Sequence, residues 1–192
     1  DLHPRVRRQR QMCIRDRELY RFDTLHAAGE MVKIRYCLIP YLYSEFLKAA
    51  LRDDMMFKPL AFDFPADHMA KETEDQLLIG DELMIAPVYK QNARGRYVYL
   101  PEEMMLVRMQ TWDQIHTEIL PKGHHYVDVA LEELVFFIRQ QKAIPFGRPA
   151  RNTDCIDHSA LQLLGYPGCT YELYADNGFS PEPETSLSVT TL

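Results

Sequence analysis

The chain has 192 residues, which is enough for one sizeable domain or for one domain with parts of its neighbours. Its 46% hydrophobic and 26% charged residues are typical of a globular protein, and no apolar run is long enough to span a membrane. The net charge of −6 argues against nucleic acid as a partner, because phosphate binding needs a clustered basic face. We therefore expect neither a nucleic-acid partner nor a membrane partner, and the sequence leaves the oligomeric state open.

The first 17 residues differ from the rest of the chain in charge. They hold six arginines and two aspartates and show no hydrophobic period. The string QMCIRDR, from Gln11 to Arg17, resembles a translated transposase end sequence of the kind used to prepare sequencing libraries. We predict that residues 1–17 are a non-native or disordered basic head that takes no part in the fold.

The four cysteines of the chain are scattered: Cys13, Cys37, Cys155 and Cys169. They form no C-x-x-C motif, so the sequence signals neither a zinc site nor a redox site. Scattered cysteines in a chain of this size are more typical of reduced thiols than of a disulfide framework. We expect a cytoplasmic location, without a metal or a cofactor.

Residues 18–54 carry a helical pattern. Apolar residues recur at steps of three and four and predict one amphipathic helix, with Asp23 or Thr24 as its N-cap. Pro40 interrupts the pattern and predicts a kink near Tyr36–Pro40, since proline removes one backbone hydrogen bond. The predicted apolar stripe consists of Leu25, Ala28, Val32, Tyr36, Ile39, Tyr43, Phe46 and Ala50. The sequence shows no second helix of comparable length that could cover this stripe.

Beyond Asp54 the hydrophobic period changes to two. Leu60, Phe62 and Phe64 alternate as in a half-buried strand that ends at Pro65. Further strand-like runs are 83–88, 96–100, 106–109, 124–129, 135–139, 143–146, 161–166 and 170–175. Short strands at this spacing predict an antiparallel β-sandwich at 55–148, and residues 149–192 are expected to form an incomplete second β domain. Asp176-Asn177-Gly178 predicts a hairpin turn.

Five blocks of sequence resemble glycoside hydrolase family 31 in order and spacing over about residues 30–180. IRYCLIPYLYSEF (34–46) is similar to LRYxLLPYLYxxF, and FKPLAFDFPAD (57–67) is similar to RPLFxEFPxD, with Lys58 in the place of the usual arginine. EDQLLIGDELMIAPVYKQNARGRYVYLP (74–101) resembles DxQFLLGxxLLVAPV…VYLP. VFFIRQQKAIPFG (135–147) resembles PVFVRAGSIIP, and YELYADNGFS (171–180) resembles YxLYEDDGxS.

The resemblance implies a (β/α)8 barrel followed by two β-sandwiches, in which residues 18–54 form the last helix of a truncated barrel. It also implies hydrolysis of terminal α-linked glucose from short oligosaccharides, with retention and without a cofactor. Retention needs two carboxyl groups about 5–5.5 Å apart, and in the family both are aspartates at the ends of barrel strands. The family's W-x-D-M-N-E motif does not occur here, so we assign no catalytic, cofactor-binding or metal-binding residue and expect the chain itself to be inactive.

Five acidic residues could be considered as an acid and base pair, but their spacing does not bring two of them into one pocket. Acidic residues between strands are usually solvated or form turns. We interpret the five as structural: Asp63, Asp67, Asp75, Asp81 and Glu82.

Histidines and aromatic residues offer two further candidates. His124 and His125 are adjacent on a predicted strand and point to opposite faces, which disfavours a shared metal ion. Trp112, Tyr97 and Tyr99 could stack on sugar rings, although packing in the core or between domains explains them as well.

One alternative site and two alternative classes of protein are considered at this stage. Asp176 could start a calcium loop, but position twelve of that loop would be Leu187 rather than glutamate, so a hairpin turn explains the segment better. The chain could instead be a stand-alone carbohydrate-binding or structural β-sandwich, or part of another α-amylase-like barrel hydrolase. A stand-alone module of either kind would leave the long helix unexplained.

Overall fold

The computed structural model describes residues 25–177 and 187–192. The predicted basic head and the proposed caps Asp23 and Thr24 lie outside these residues. Helices are α1 (Leu25–Arg52), α2 (Leu60–Asp63) and α3 (His68–Glu72), and short 3-10 turns are Thr153–Cys155 and His158–Ala160. Strands are β1 (Phe57–Pro59), β2 (Leu77–Ile79), β3 (Leu83–Ile85), β4 (Gly95–Leu100), β5 (Met104–Thr111), β6 (Gln114–Leu120), β7 (Gly123–Asp128), β8 (Leu134–Arg139), β9 (Ala143–Phe146), β10 (Gln162–Gly165), β11 (Glu172–Ala175) and β12 (Ser188–Thr191). The described chain is thus mainly β with one long helix at its start.

A six-stranded antiparallel sheet is the centre of the fold. Its strand order is β1-β2-β3-β8-β5-β6, and β5 and β8 pair from Met104↔Arg139 to Met109↔Leu134. Three two-stranded ribbons surround it, namely β4–β7, β9–β10 and β11–β12. The prediction of antiparallel sheets is confirmed.

Both faces of the central sheet are buried at strands β5 and β8. Met104 and Leu106 point to the side of the β4–β7 ribbon, whereas Met105 and Val107 point to the side of α1, β9 and β11. Burial of each such side chain contributes about 1.5–3 kcal/mol. Two buried faces explain why β5 and β8 read as continuous apolar runs rather than as alternating ones.

Helix α1 is apolar on two faces. Its inward face packs Ile34, Cys37 and Tyr41 against the sheet with no exposed area. The stripe predicted from the sequence lies mostly on the other side, where Val32 is 40% and Phe46 is 55% exposed. The helix therefore has a partner within the chain, which the sequence pattern did not indicate, and it also presents the predicted apolar stripe outward.

The predicted strand at Leu60–Phe64 is wrong. Strand β1 ends at Pro59, and Leu60–Asp63 form the short helix α2 with Leu60 buried and Phe62 exposed. Leu60 and Phe64 are four residues apart, so the same spacing also suits a helical turn, and short apolar runs are ambiguous for this reason. Strand β6 was not predicted because it is an edge strand with mostly exposed positions and no clear alternation.

The end of the sandwich pairs with the segment after residue 148. Strand β9 pairs with β10 from Ala143↔Gly165 to Phe146↔Gln162, across the predicted domain boundary. The Gly147 N–H donates to the Cys37 carbonyl of α1 at 2.9 Å. Helix α1 runs through Pro40, and the kink there stays a prediction. Among the helices of the described ranges, none is both long enough and apolar enough to cross a bilayer.

Candidate functional site

A polar cavity of about 230 Å³ lies where α1, the turn between β2 and β3, and strand β11 meet. Its walls come from segments far apart in sequence, so the fold alone creates it. The residues that matter for its chemistry are Glu45, Lys48, Gly80, Asp81, Glu82, Lys142 and Tyr171. We call this group the junction cluster.

Glu45 is the centre of the junction cluster. It is 6% exposed, and its Oε1 accepts hydrogen bonds from the Tyr171 hydroxyl at 2.6 Å and from the Lys48 ammonium at 2.7 Å. The Lys48 nitrogen also lies 3.9 Å from the centre of the Tyr171 ring, within range of a cation–π contact. One helical carboxylate therefore binds α1 to the segment that leads into β11.

Gly80 is what allows this carboxylate to approach the β2–β3 turn. Its φ is +64°, and a Cβ at this position would lie 2.2 Å from Glu45 Oε2. Glycine satisfies both requirements, since it has no Cβ and tolerates the left-handed conformation.

Glu82 is the second buried acid of the junction cluster. Lys142 Nζ lies 3.5 Å from its Oε1, and the Tyr41 hydroxyl, which donates to the Ile79 carbonyl, lies 3.3 Å from its Oε2. Burial, and next the neighbouring Glu45, raise the pKa of Glu82. Burial and the nearby acids also raise the pKa of Tyr41 and of Tyr171, so both phenols stay protonated donors.

Next to the junction cluster, an ion-pair network holds α2 on the sheet. Lys58 is only 7% exposed and pairs with Asp63 at 3.1 Å and with Asp81. Arg139 bonds Asp63 at 2.6 Å and Glu102 at 2.7 Å. Burial lowers the pKa of Lys58, but its bonds to Asp81 and Asp63 outweigh this and raise it overall. The position that departs from the family motif is therefore buried and paired.

The structure brings together some of the five acids considered from the sequence. Asp81 and Glu82 line the same cavity, so the expectation that no two would share a pocket is wrong. Asp67 caps α3 and accepts from the Tyr99 hydroxyl at 2.7 Å and from Lys122. Lys122 and Tyr99 lower the pKa of Asp67 to about 2. Asp75 pairs with Arg96.

These contacts define what the cavity can do. Glu45 accepts hydrogen bonds from the Tyr171 hydroxyl and the Lys48 ammonium, and Glu82 lies beside the Tyr41 hydroxyl and the Lys142 ammonium. A glycosidase nucleophile must instead face the anomeric carbon of the substrate. The geometry therefore fits a junction that fixes α1, the central sheet and β11 relative to one another.

The adjacent histidines lie as the strand pattern predicts. His124 packs its ring 4.9 Å from that of Tyr99, whereas His125 Nε2 contacts the Pro121 carbonyl at 2.7 Å. Over residues 25–177 and 187–192, no three histidine, cysteine or acidic side chains are grouped as metal ligands would be.

The three aromatic candidates separate into two groups. Tyr99 is 7% exposed and Trp112 packs partly buried against the core, which confirms packing for both. Tyr97 is 72% exposed, so it does not pack in the core, and packing between domains stays a prediction for it.

The predicted turn at Asp176–Gly178 lies partly outside the described residues, because Gly178 is not among them. Strand β11 pairs with β12 from Ala175↔Ser188, so the connection runs from 176 to 187. Asp176 Oδ1 accepts from the Tyr43 hydroxyl at 2.6 Å, which ties this connection to α1.

Sequence reasoning missed the residues of the junction cluster other than Asp81 and Glu82. Glu45 lies four positions after Tyr41 on the inward face of α1, and a charged residue on an otherwise apolar face was the available signal. Its partner Tyr171 is 126 residues away, so no local pattern could have identified the pair.

A long helix packs against an antiparallel sheet with attached ribbons, and a buried polar cluster joins the helix to the sheet and to the last strands. Residues 53–144 match the domain described as "Glycosyl hydrolase family 31 C-terminal domain". The chain belongs to glycoside hydrolase family 31, as the sequence resemblance predicted.

Individual relatives agree with this assignment. The chain is 31% identical to Alpha-glucosidase 2 of Bacillus thermoamyloliquefaciens over 77% of its own length and 18% of that protein. It is 27% identical to an alpha-xylosidase of Saccharolobus solfataricus, over 80% of this chain and 21% of the relative. The crystal structure of a GH31 alpha-xylosidase from Xanthomonas citri has the same fold, with a TM-score of 0.73 at 24% identity over 92% of this chain and 19% of that one. The chain thus spans about a fifth of the relatives it matches.

Proposed function

We propose that this chain is the C-terminal part of a retaining α-glucosidase that removes terminal α-linked glucose from short oligosaccharides. The support is the family match at residues 53–144 together with 31% identity to an alpha-glucosidase. In this proposal the catalytic aspartates lie in a barrel that precedes α1, and the chain itself performs no hydrolysis.

The outward face of α1 is the observation that carries the structural part of the proposal. Val32 and Phe46 are exposed there, and Ile39 and Tyr43 lie half-buried beside them. A contiguous apolar face on a helix marks a contact surface. We propose that α1 is the last helix of the barrel and that this face packs on the barrel wall. The junction cluster then couples the barrel to the β domains.

The activity is tested on two proteins, the 192-residue chain and the complete protein recovered from the same locus. The complete protein is expected to hydrolyse an aryl α-glucoside and to release the α-anomer first, as seen by NMR, because retention inverts the anomeric carbon twice. The chain alone is expected to give no turnover above a mock preparation. Turnover by the chain, or release of the β-anomer by the complete protein, would contradict the proposal.

An α-xyloside is the second candidate substrate. One relative at 27% identity is an alpha-xylosidase. Parallel assays of the complete protein with aryl α-glucoside and aryl α-xyloside decide between them by the ratio of kcat/KM values.

We also propose a cytoplasmic location, which rests on the scattered cysteines and is checked by locating the complete protein in fractionated cells.

A further inference from the structure

The outward face of the β4–β7 ribbon carries a pair of exposed tyrosines. Tyr97 and Tyr126 are direct cross-strand partners, 72% and 58% exposed, with ring centres 5.1 Å apart and planes at 70°. Their neighbours Val98 and Val127 point inward and are buried in the core. The core of the described chain therefore makes no use of these two rings.

A third exposed tyrosine faces the same groove. Tyr89 comes from the connection between β3 and β4 and is 66% exposed. Together with Tyr97 and Tyr126 it lines a groove of about 290 Å³. Surface apolar residues are normally scattered singly, so three aromatic rings around one groove indicate a binding surface.

The floor of the groove is held in place by Arg96, whose side chain is 11% exposed. Its guanidinium bonds the Asp75 carboxylate at 2.5 Å and the carbonyls of Pro87 and Asp75 at 2.8 and 3.1 Å. It also lies 5.7 Å from the centre of the Tyr89 ring, and the Tyr89 hydroxyl donates to Asp75 at 3.4 Å. The Tyr89 ring and the Asp75 carboxylate are thus positioned before any ligand arrives, which lowers the entropic cost of binding.

This combination matches the two surfaces of a sugar ring. The C–H bonds on one face of a glucopyranose pack on the negative face of an aromatic ring. Its rim of hydroxyls needs donors and acceptors, which Asp75, Lys90 and the three phenols supply at the edge of the groove. The volume is at the small end of ligand pockets, which suits one or two sugar units better than an extended peptide.

We propose that Tyr89, Tyr97 and Tyr126 form a binding face for the glucopyranose rings of a gluco-oligosaccharide. The inference goes beyond the proposed function, because binding here needs only residues of this chain and no hydrolysis.

The test is isothermal titration of the 192-residue chain with maltotetraose and with isomaltotetraose. Saturable heat is expected with at least one of them, and the double variant Tyr97→Ala with Tyr126→Ala should weaken the affinity at least tenfold. Phe62→Ala is the matched control, because Phe62 is an equally exposed aromatic residue outside the groove, and it should leave the affinity unchanged. Thermal unfolding of both variants verifies that the fold is retained.

Absence of heat with both sugars, or equal affinity of the wild-type chain and the double variant, would overturn the inference. If light scattering instead showed self-association that only the double variant abolishes, without sugar binding, the groove would be a protein contact. None of these outcomes touches the proposed α-glucosidase activity, which the hydrolysis assay on the complete protein decides separately.

Discussion

Gln141 holds a backbone conformation that favours glycine. It lies in the turn between β8 and β9, where the Lys142 N–H bonds the Arg139 carbonyl, and its φ is +57°. A residue with a Cβ is strained by about 1 kcal/mol or more in this region. We predict that Gln141→Gly raises the free energy of unfolding by roughly 0.5–1 kcal/mol, after allowing for the larger entropy of glycine in the unfolded chain. Urea denaturation measures it, with Gln140→Gly as the control.

Glu82 makes stability depend on pH in a definite direction. Its native pKa is raised above the ordinary value of 4.5 by burial and by Glu45. Between these two values the native state binds more protons than the unfolded state, so the free energy of unfolding falls as pH rises. Glu82→Gln removes this titration, and the variant should gain stability relative to the wild type as pH rises above 4.5.

The comparison for Glu82 uses denaturant unfolding of both proteins from pH 4 to 8. Glu118→Gln, at an exposed position on β6, is the matched control and should show no such trend. A difference between Glu82→Gln and wild type that stays constant with pH would contradict the assignment of Glu82 as a buried acid with a raised pKa.

At the residue scale the sequence was informative where a position depends on its neighbours. The alternation of Tyr97, Val98 and Tyr99 placed β4, and His124 and His125 point apart as a strand requires. It was uninformative where partners are distant in sequence. The junction cluster and the burial of Lys58 arise from contacts over tens of residues, and no period in the chain encodes them.

At the scale of elements, the two faces of α1 lead to a prediction about association. The outward face carries Val32 and Phe46 exposed, so the 192-residue chain should self-associate. Val32→Glu combined with Phe46→Lys keeps the net charge and removes the apolar contact, and this variant should be a monodisperse monomer by light scattering. The control pair, Ile119→Glu with Val189→Lys, removes two exposed apolar side chains elsewhere and should leave association unchanged. A monomeric wild-type chain would contradict the prediction.

The contact between α1 and the β2–β3 turn is tested at Gly80. Gly80→Ala places a Cβ against the Glu45 carboxylate and in a left-handed conformation, which should cost about 2–4 kcal/mol. Gly168→Ala is the matched control, since Gly168 has a φ of +76° with open space around it, and strain alone should cost about 1–2 kcal/mol. If Gly80→Ala and Gly168→Ala lost equal free energy of unfolding in urea denaturation, the close approach of the Glu45 carboxylate to Gly80 would not contribute to stability.

The packing of α1 also shows why the sequence predicted only one of its two apolar faces. Its outward stripe is uniformly apolar and stood out in the pattern. The inward face mixes Ile34 and Tyr41 with the buried polar residues Ser44 and Glu45, so its period is weak. Those polar residues are satisfied by partners on β11 and just before it, which only the folded chain brings near. Strand β6 and helix α2 were not predicted for the related reason that short or exposed segments carry little periodicity.

At the scale of the whole molecule, one core joins the helix, the central sheet and the last strands. Ile34 and Tyr41 of α1, Val107 of β5 and Leu173 of β11 belong to a single buried cluster. A shared core makes separate unfolding of the helix costly, because it would expose the inner face of the sheet. We therefore predict one cooperative transition for the described chain, despite the domain boundary predicted at residue 148.

Two probes report on this transition independently. Trp112 is the single tryptophan and packs against the shared core, so its fluorescence reports on the sheet, while far-UV circular dichroism is dominated by α1. Their urea midpoints should coincide. Leu173→Ala should lower both midpoints equally and reduce the free energy of unfolding by about 2–4 kcal/mol. Val189→Ala, at an exposed position on β12, should leave both midpoints unchanged. A helix signal lost at lower urea than the fluorescence would mean that α1 packs only weakly on the sheet, which would contradict the proposed coupling role of the junction cluster.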